Sequence, residues 1–164
     1  MNHWETLSND ARVWLYGANR KLSETEQRKI QDMLDTFCES WAAHGAKLDC
    51  GYTILYNQLI ILAVDEKSAA ASGCSIDSSV KVFREIDAKY ELDLFNRLRS
   101  YHLREGQLVA HHSSAIKQLL ESNELTSQSL FIDPLIGSKY DVLNNLTKPL
   151  KETWLNKYLP TTSV

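Results

Sequence analysis

With 164 residues, 43% hydrophobic and 24% charged, the chain has ordinary globular composition and enough length to bury a core without staples. Its formal net charge of -3 and pI near 5.9 provide no global field for nucleic acid or an anionic membrane. No apolar run approaches the roughly 20 residues of a membrane span, and Met1-Asn2-His3-Trp4-Glu5 lacks the basic-then-apolar layout of a signal peptide.

Three cysteines, Cys38, Cys50 and Cys74, stand at unpatterned spacing with no CxxC among them. An odd set of this kind predicts free thiols in a reducing compartment, the cytoplasm, and no zinc site.

In chain order, Arg12-Val13-Trp14-Leu15-Tyr16 reads as a strand closed by Gly17. Ser23-Glu24-Thr25-Glu26 is a capping box, in which the Ser23 oxygen accepts from the Glu26 amide while Glu26 reaches back. The helix it opens carries an apolar stripe of Ile30, Met33, Leu34, Phe37, Cys38, Trp41 and Ala42, with Gly45 as its expected terminator. Leu48, Cys50, Tyr52, Ile54 and Tyr56 alternate and predict an edge strand. Asn57-Gln58 then turns the chain into Leu59-Ile60-Ile61-Leu62-Ala63-Val64, the longest apolar run. A run that does not alternate predicts a central strand covered on both faces.

After Asp65-Glu66 comes the small-residue passage Ser68 to Ser75, then a helix expected from about Ser75 to Tyr90 with the stripe Ile76, Val80, Phe83, Ile86 and Tyr90. Leu94 to His102 supplies a fourth strand. The order strand, helix, strand, strand, helix, strand predicts an α+β, ferredoxin-like βαββαβ sandwich over residues 1–104, with the first and third strands central. Residues 105–164 are expected to be a C-terminal α/β extension packed on the same core. Their signals are a Glu105-Gly106 turn, a strand over Gln107 to His111, and a helix capped by Ser113 or Ser114. The short apolar segment Leu130-Phe131-Ile132 and a stripe of Leu150, Trp154 and Tyr158 follow.

Several segments in this order carry a resemblance. They are Asp10-Ala11-Arg12-Val13-Trp14, Arg20-Lys21-Leu22-Ser23, Trp41-Ala42-Ala43-His44-Gly45, Ala63-Val64-Asp65-Glu66, Ala71-Ser72-Gly73-Cys74-Ser75-Ile76-Asp77 and Lys151-Glu152-Thr153-Trp154. Together they resemble a family of small proteins from Bacteroidetes-type bacteria, whose members often carry the label "ABC transporter ATPase". The resemblance is strongest over residues 10–102 and implies no established activity. ATP hydrolysis of that class requires G-x-x-x-x-G-K-[ST], whose amides cradle phosphates while the Lys reaches them. None of the glycines at 17, 45, 51, 73, 106 and 137 is followed by Lys-Ser or Lys-Thr, so the chain is not expected to be an ATPase.

The candidate site is the Ser72-Gly73-Cys74-Ser75 turn. Unpaired amides and the positive end of the dipole at a helix start can hold an anion and favour a thiolate at Cys74. Asp65 and Asp77 lie close by in sequence and could orient a base, although their charge opposes a thiolate. The plain alternative is that Ser75 caps the helix, Gly73 fits a tight bend and Cys74 packs inward. Adjacent His111 and His112 should point to opposite faces of a strand, and no H-x-x-x-H occurs, so neither a metal site nor a cofactor is expected. The rings of Trp14, Tyr16, Tyr52 and Tyr56 are expected to serve packing, not RNA stacking.

The leading reading is therefore a non-catalytic binding or interaction domain in the cytoplasm. It has a small-anion or small-ligand site at Ser72, Gly73, Ser75, Asp65 and Asp77, and homodimerisation through a sheet face or edge is in keeping with it. The alternatives are a thiol-dependent enzyme or redox protein with Cys74 as the catalytic residue, and an accessory protein of a transporter.

Overall fold

The computed structural model of the protein describes residues 2–161. A 3-10 turn over Trp4–Thr6 precedes β1 (Arg12–Gly17), α1 (Glu24–Ser40), β2 (Ala42–Ala43), β3 (Ala46–Lys47), β4 (Asp49–Leu55), β5 (Leu59–Asp65) and α2 (Gly73–Tyr90). Then follow β6 (Arg99–Arg104), β7 (Gln107–His112), α3 (Ser113–Glu121), β8 (Leu130–Ile132), α4 (Lys139–Asn144) and β9 (Thr147–Pro149). Two further 3-10 turns, Leu150–Glu152 and Trp154–Tyr158, close the described chain. The fold is mixed α+β with antiparallel sheets, and no described helix is long and apolar enough to cross a membrane. The chain forms two compact units. Of the described residues, one unit comprises residues 2–95 with Ile136–Asn144, and the other comprises Asn96–Leu135 with residues 145–161.

In the first unit the sheet order is β1-β5-β4, with both neighbours antiparallel to β5. Every residue from Leu59 to Val64 is fully buried, as expected for a central strand. Ile60, Leu62 and Val64 join Ile30 and Leu34 of α1 and Phe83 and Ile86 of α2 in one core. Tyr16 stacks on Phe83 with ring centroids 3.7 Å apart, and the Tyr52 hydroxyl donates to Asp35 at 2.9 Å. The Tyr16 and Tyr52 rings thus serve packing. The capping box at Ser23 forms as expected, reinforced by Arg20, whose guanidinium donates to both Glu26 oxygens at 2.9 and 2.8 Å. That pairing, which is solvent-exposed, holds the Glu26 carboxyl down at about 2.

Several expectations change in this unit. The strand expected as the fourth of a ferredoxin-like sheet is β6, and it belongs to the other sheet, so this one has three strands. Gly45 does not terminate α1. The helix stops at Trp41, whose backbone is extended, and His44 (φ 50°) and Gly45 (φ 79°) instead form the turn of the small β2–β3 hairpin. Cys38 and Cys50 are not free thiols. They face each other from α1 and β4 with Cα atoms 5.5 Å apart and form a buried disulfide. The cysteines therefore lend no support to a reducing compartment, and Cys74 is the one free thiol among the described residues.

Two contacts fix the N-terminal turn. Gly51 lies opposite Ala63 in the register, and a Cβ built on it would meet the Trp4 backbone nitrogen and lie 2.8 Å from the Trp4 Cα. Lys139, at the start of α4, is buried. Its ammonium donates to the carbonyls of Trp4 (2.6 Å), Leu7 (2.8 Å) and Glu5 (3.3 Å) and lies over the Trp4 ring. A buried ammonium with its three donors used meets the requirement that a buried charge be hydrogen-bonded.

In the second unit the sheet order is β7-β6-β8-β9, all antiparallel. Ile116 of α3, Phe131 of β8, and Leu125, Leu150 and Leu155 form its core. The cap of α3 is not a serine. His112 takes that place, its Nδ1 accepting from the Ser114 amide at 3.2 Å.

Gly51→Ala should destabilise the protein by about 1–3 kcal/mol, because the added methyl meets main chain of His3 and Trp4 rather than the far end of a flexible side chain. Urea unfolding checks this: the midpoint should fall at unchanged slope, and an unaltered midpoint contradicts the close approach.

Candidate functional site

The Ser72–Ser75 turn is built as a cap. α2 starts at Gly73, two residues earlier than the sequence suggests, so Ser72 is the N-cap and Ser75 the third helical residue. The Ser72 hydroxyl accepts the Ser75 amide at 3.2 Å, and the Ser75 hydroxyl accepts the Ser72 amide at 2.7 Å. Ser75 Oγ donates to the Ser72 carbonyl at 2.8 Å, and its own carbonyl receives the Trp41 indole N–H at 2.8 Å. Ser75 is buried and occupied on every side. Two of the groups that a bound anion would need are therefore spent on the helix itself.

The other expected members disperse. Gly73 has no left-handed φ, and a side chain there would meet only open space, so no tight bend requires glycine. Cys74 is exposed and does not pack inward. Asp65 ends β5 and is engaged elsewhere, accepting the Lys67 amide at 3.0 Å and the Ser8 amide at 3.3 Å. These bonds, the Lys67 amide first, hold its carboxyl below the usual range. Glu66 rather than Asp65 meets the loop before α2, accepting the Ala71 amide at 2.9 Å. Asp77 is exposed on the first turns of α2.

A cluster that sequence reasoning misses lies in the second unit. Glu105 (φ 51°) and Gly106 (φ 74°) form a two-residue hairpin turn, which pairs Arg104 with Gln107 and His102 with Val109. His102 and His111 thereby share one sheet face, with ring centroids 6.1 Å apart and His102 stacked at 5.3 Å on Phe131. The Glu-Gly turn was the available signal, since it fixes the register and hence the diagonal neighbours. Burial depresses the His102 imidazole, helped by His111 and Arg104. Burial also depresses His111, against an opposing pull from Glu124. His111 Nε2 is buried with no hydrogen-bond partner among the described residues, and no described group of three or more His, Cys, Asp or Glu could hold a metal.

The outer edges of the two larger sheets differ in kind. The start of the β1 edge is met by the segment before α4: Arg12 bridges Ser138, and the Val13 amide donates to the Gly137 carbonyl at 3.2 Å. The edge of β4 is capped at Tyr52 by Asn2, whose side chain donates to the Tyr52 carbonyl at 2.7 Å and accepts the Tyr52 amide at 3.0 Å. β9 is three residues long and ends in Pro149, which has no N–H. β7 is six residues long, with no proline and no Lys, Arg, Asp or Glu, and no described strand pairs with its outer side. Val109, near its middle, is exposed.

Comparison with protein families, curated proteins and solved structures finds no match.

The two imidazoles predict acid sensitivity. Their folded pKa values lie below the ordinary 6.5, so the unfolded chain binds protons first as pH falls. Their contribution to stability is intact above about pH 7 and declines from about pH 6.5 down through the folded values. Thermal melting between about pH 7.5 and 5.5 should show this decline, and His102→Phe with His111→Phe should flatten it. An unchanged slope in the double variant would place the acid response elsewhere.

Proposed function

We propose that this protein is a non-catalytic interaction domain that takes up an extended protein segment along the outer edge of β7. The observation that carries this reading is the edge of β7, six residues without charge or proline and with no described strand on its outer side, whereas β1 and β4 are each engaged at one point and β9 is short. Open edges invite strand addition, and main-chain hydrogen bonds supply its affinity. In this reading the first unit is a ferredoxin-like plan without its fourth strand, serving as scaffold, and a small anion at Gly73 and Cys74 is a secondary feature.

Hydrogen exchange tests the reading. The amides of Leu108, Ala110 and His112 should exchange more slowly in a concentrated extract of the source cells than in dilute buffer. Equal rates in both would remove it.

The exposed thiol of Cys74, at the second position of an 18-residue helix, favours a second reading, a thiol-dependent enzyme. Iodoacetamide decides: that reading expects Cys74 to be alkylated at about pH 7 at least tenfold faster than a small free thiol. A rate no faster than the small thiol's eliminates it.

A further inference from the structure

The occupant of the β7 edge can be named from the geometry of the edge itself. In a hairpin closed by a two-residue turn, the closing pair Arg104–Gln107 is hydrogen-bonded, and bonded pairs recur at every second position. His102–Val109 and Ser100–His111 are then the other bonded pairs, and the Ser113 amide continues the alternation by donating to the Leu98 carbonyl at 2.8 Å. The main-chain groups of Leu108 and Ala110 and the amide of His112 are left facing outward, while the His112 carbonyl, at the N-cap of α3, serves that helix. These three positions are symmetric about Ala110.

We infer that the outer edge of β7 is a self-association surface, where a second copy of this chain adds antiparallel with Ala110 opposite Ala110. The inference rests on the reading of β7 as an interaction edge and goes further by naming the partner. The outward groups allow only this family of registers, since a bonded pair on one strand must meet a bonded pair on the other. With Ala110 at the two-fold axis, Leu108 faces the partner's His112 and Val109 faces the partner's His111. About four main-chain hydrogen bonds then form, two at the Ala110 pair and one from each His112 amide to the partner's Leu108 carbonyl.

The side chains suit this pairing. The strand Gln107-Leu108-Val109-Ala110-His111-His112 carries no formal charge with its histidines neutral, so two copies meet without like charges opposed. The smallest side chain sits at the axis, where a residue meets itself. Exposed Val109 is brought against the half-buried His111 ring of the other copy. The same register sets Glu105 level with the start of the partner's α3, the positive end of that helix. The arrangement is isologous, so it closes at a dimer and leaves no further open β7 edge.

Sedimentation velocity of the full chain from about 1 µM to 1 mM tests the inference. The expected result is a monomer–dimer equilibrium at about pH 7.5 that Val109→Lys weakens at least tenfold, because the lysine loses the apolar contact with the partner's His111 ring and sets two like charges at diagonal positions across the seam. Ala110→Pro removes an outward donor without touching a bond to β6 and should abolish the dimer. If that variant does not fold, Val109→Lys alone decides. Tyr140→Ser, at an exposed residue of α4, should leave the equilibrium unchanged. A chain that remains monomeric throughout, or a dimer that Val109→Lys leaves intact while circular dichroism stays native, overturns the inference. Hydrogen exchange at Ala110 separates the two failures. If exchange slows in extract while the pure chain stays monomeric, the interaction reading survives with a different partner; if it slows in neither, both fall.

Discussion

The first unit depends on one constraint, the complete burial of β5. A strand with a neighbour on each side and no exposed residue from Leu59 to Val64 needs both of its faces covered. One face is met by α1 and α2, whose Ile30, Leu34, Phe83 and Ile86 pack on Ile60, Leu62 and Val64. The position of α2 in turn sets where the Ser72–Ser75 turn falls. The opposite face carries Ala63 and its register partner Gly51, and there the main chain of Trp4 comes in directly. Glycine at 51 is thus a requirement of the central strand, since any side chain would hold the N-terminal turn off it. Lys139 completes that arrangement by drawing three carbonyls of the turn to one ammonium, at the cost of burying a charge with no carboxylate beside it. Three hydrogen bonds and an aromatic face are the compensation.

The start of α2 illustrates how capping and ligand binding compete for the same atoms. A helix start can hold an anion because its first amides lack partners. Here the reciprocal Ser72–Ser75 pair satisfies one of these amides and also engages the N-cap amide, and the Trp41 indole locks Ser75 from the other side. A serine at the third helical position does what glutamate usually does in a capping box, and its short reach pulls it into the core. The exposed thiol of Cys74 is left beside this closed structure with no histidine or carboxylate bonded to it.

How much of this was legible in the sequence follows from which signals are local. The Ser23 box and the central strand could be read because a four-residue pattern and an unbroken apolar run each state their own environment. The missing fourth strand could not, because the chain turns at Glu91 (φ 53°) and Asp93 (φ 53°), left-handed positions without the glycine that normally marks them. Leu94, where the expected strand begins, is instead buried beside Leu92 in that turn. The inward stripe of α2 starts one position earlier than its apolar spacing suggests, since Ser75 and Ser79, not Ile76 and Val80, face inward. Small polar residues at a crowded helix start carry no hydrophobic signal. The Cys38–Cys50 pairing depends on α1 packing over β4, which twelve residues of spacing do not reveal. Of the site, the pattern places Cys74 and the two serines correctly at the start of a helix, but it does not disclose the roles of Asp65 and Gly73. The histidine pair was available in principle, because a two-residue turn fixes register.

The edges of the sheets give the most direct route from fold to function. Each covered edge uses a different device: a returning main chain at β1, an asparagine that imitates a strand at β4, and a proline with short length at β9. β7 has the length and composition that most need protection, and it carries none of the three. A lysine in place of Val109 would protect the edge without disturbing the packing beneath it, because that side chain is exposed. Valine at this position fits the proposed pairing: it is an apolar, β-branched residue that gains from contact and repels nothing.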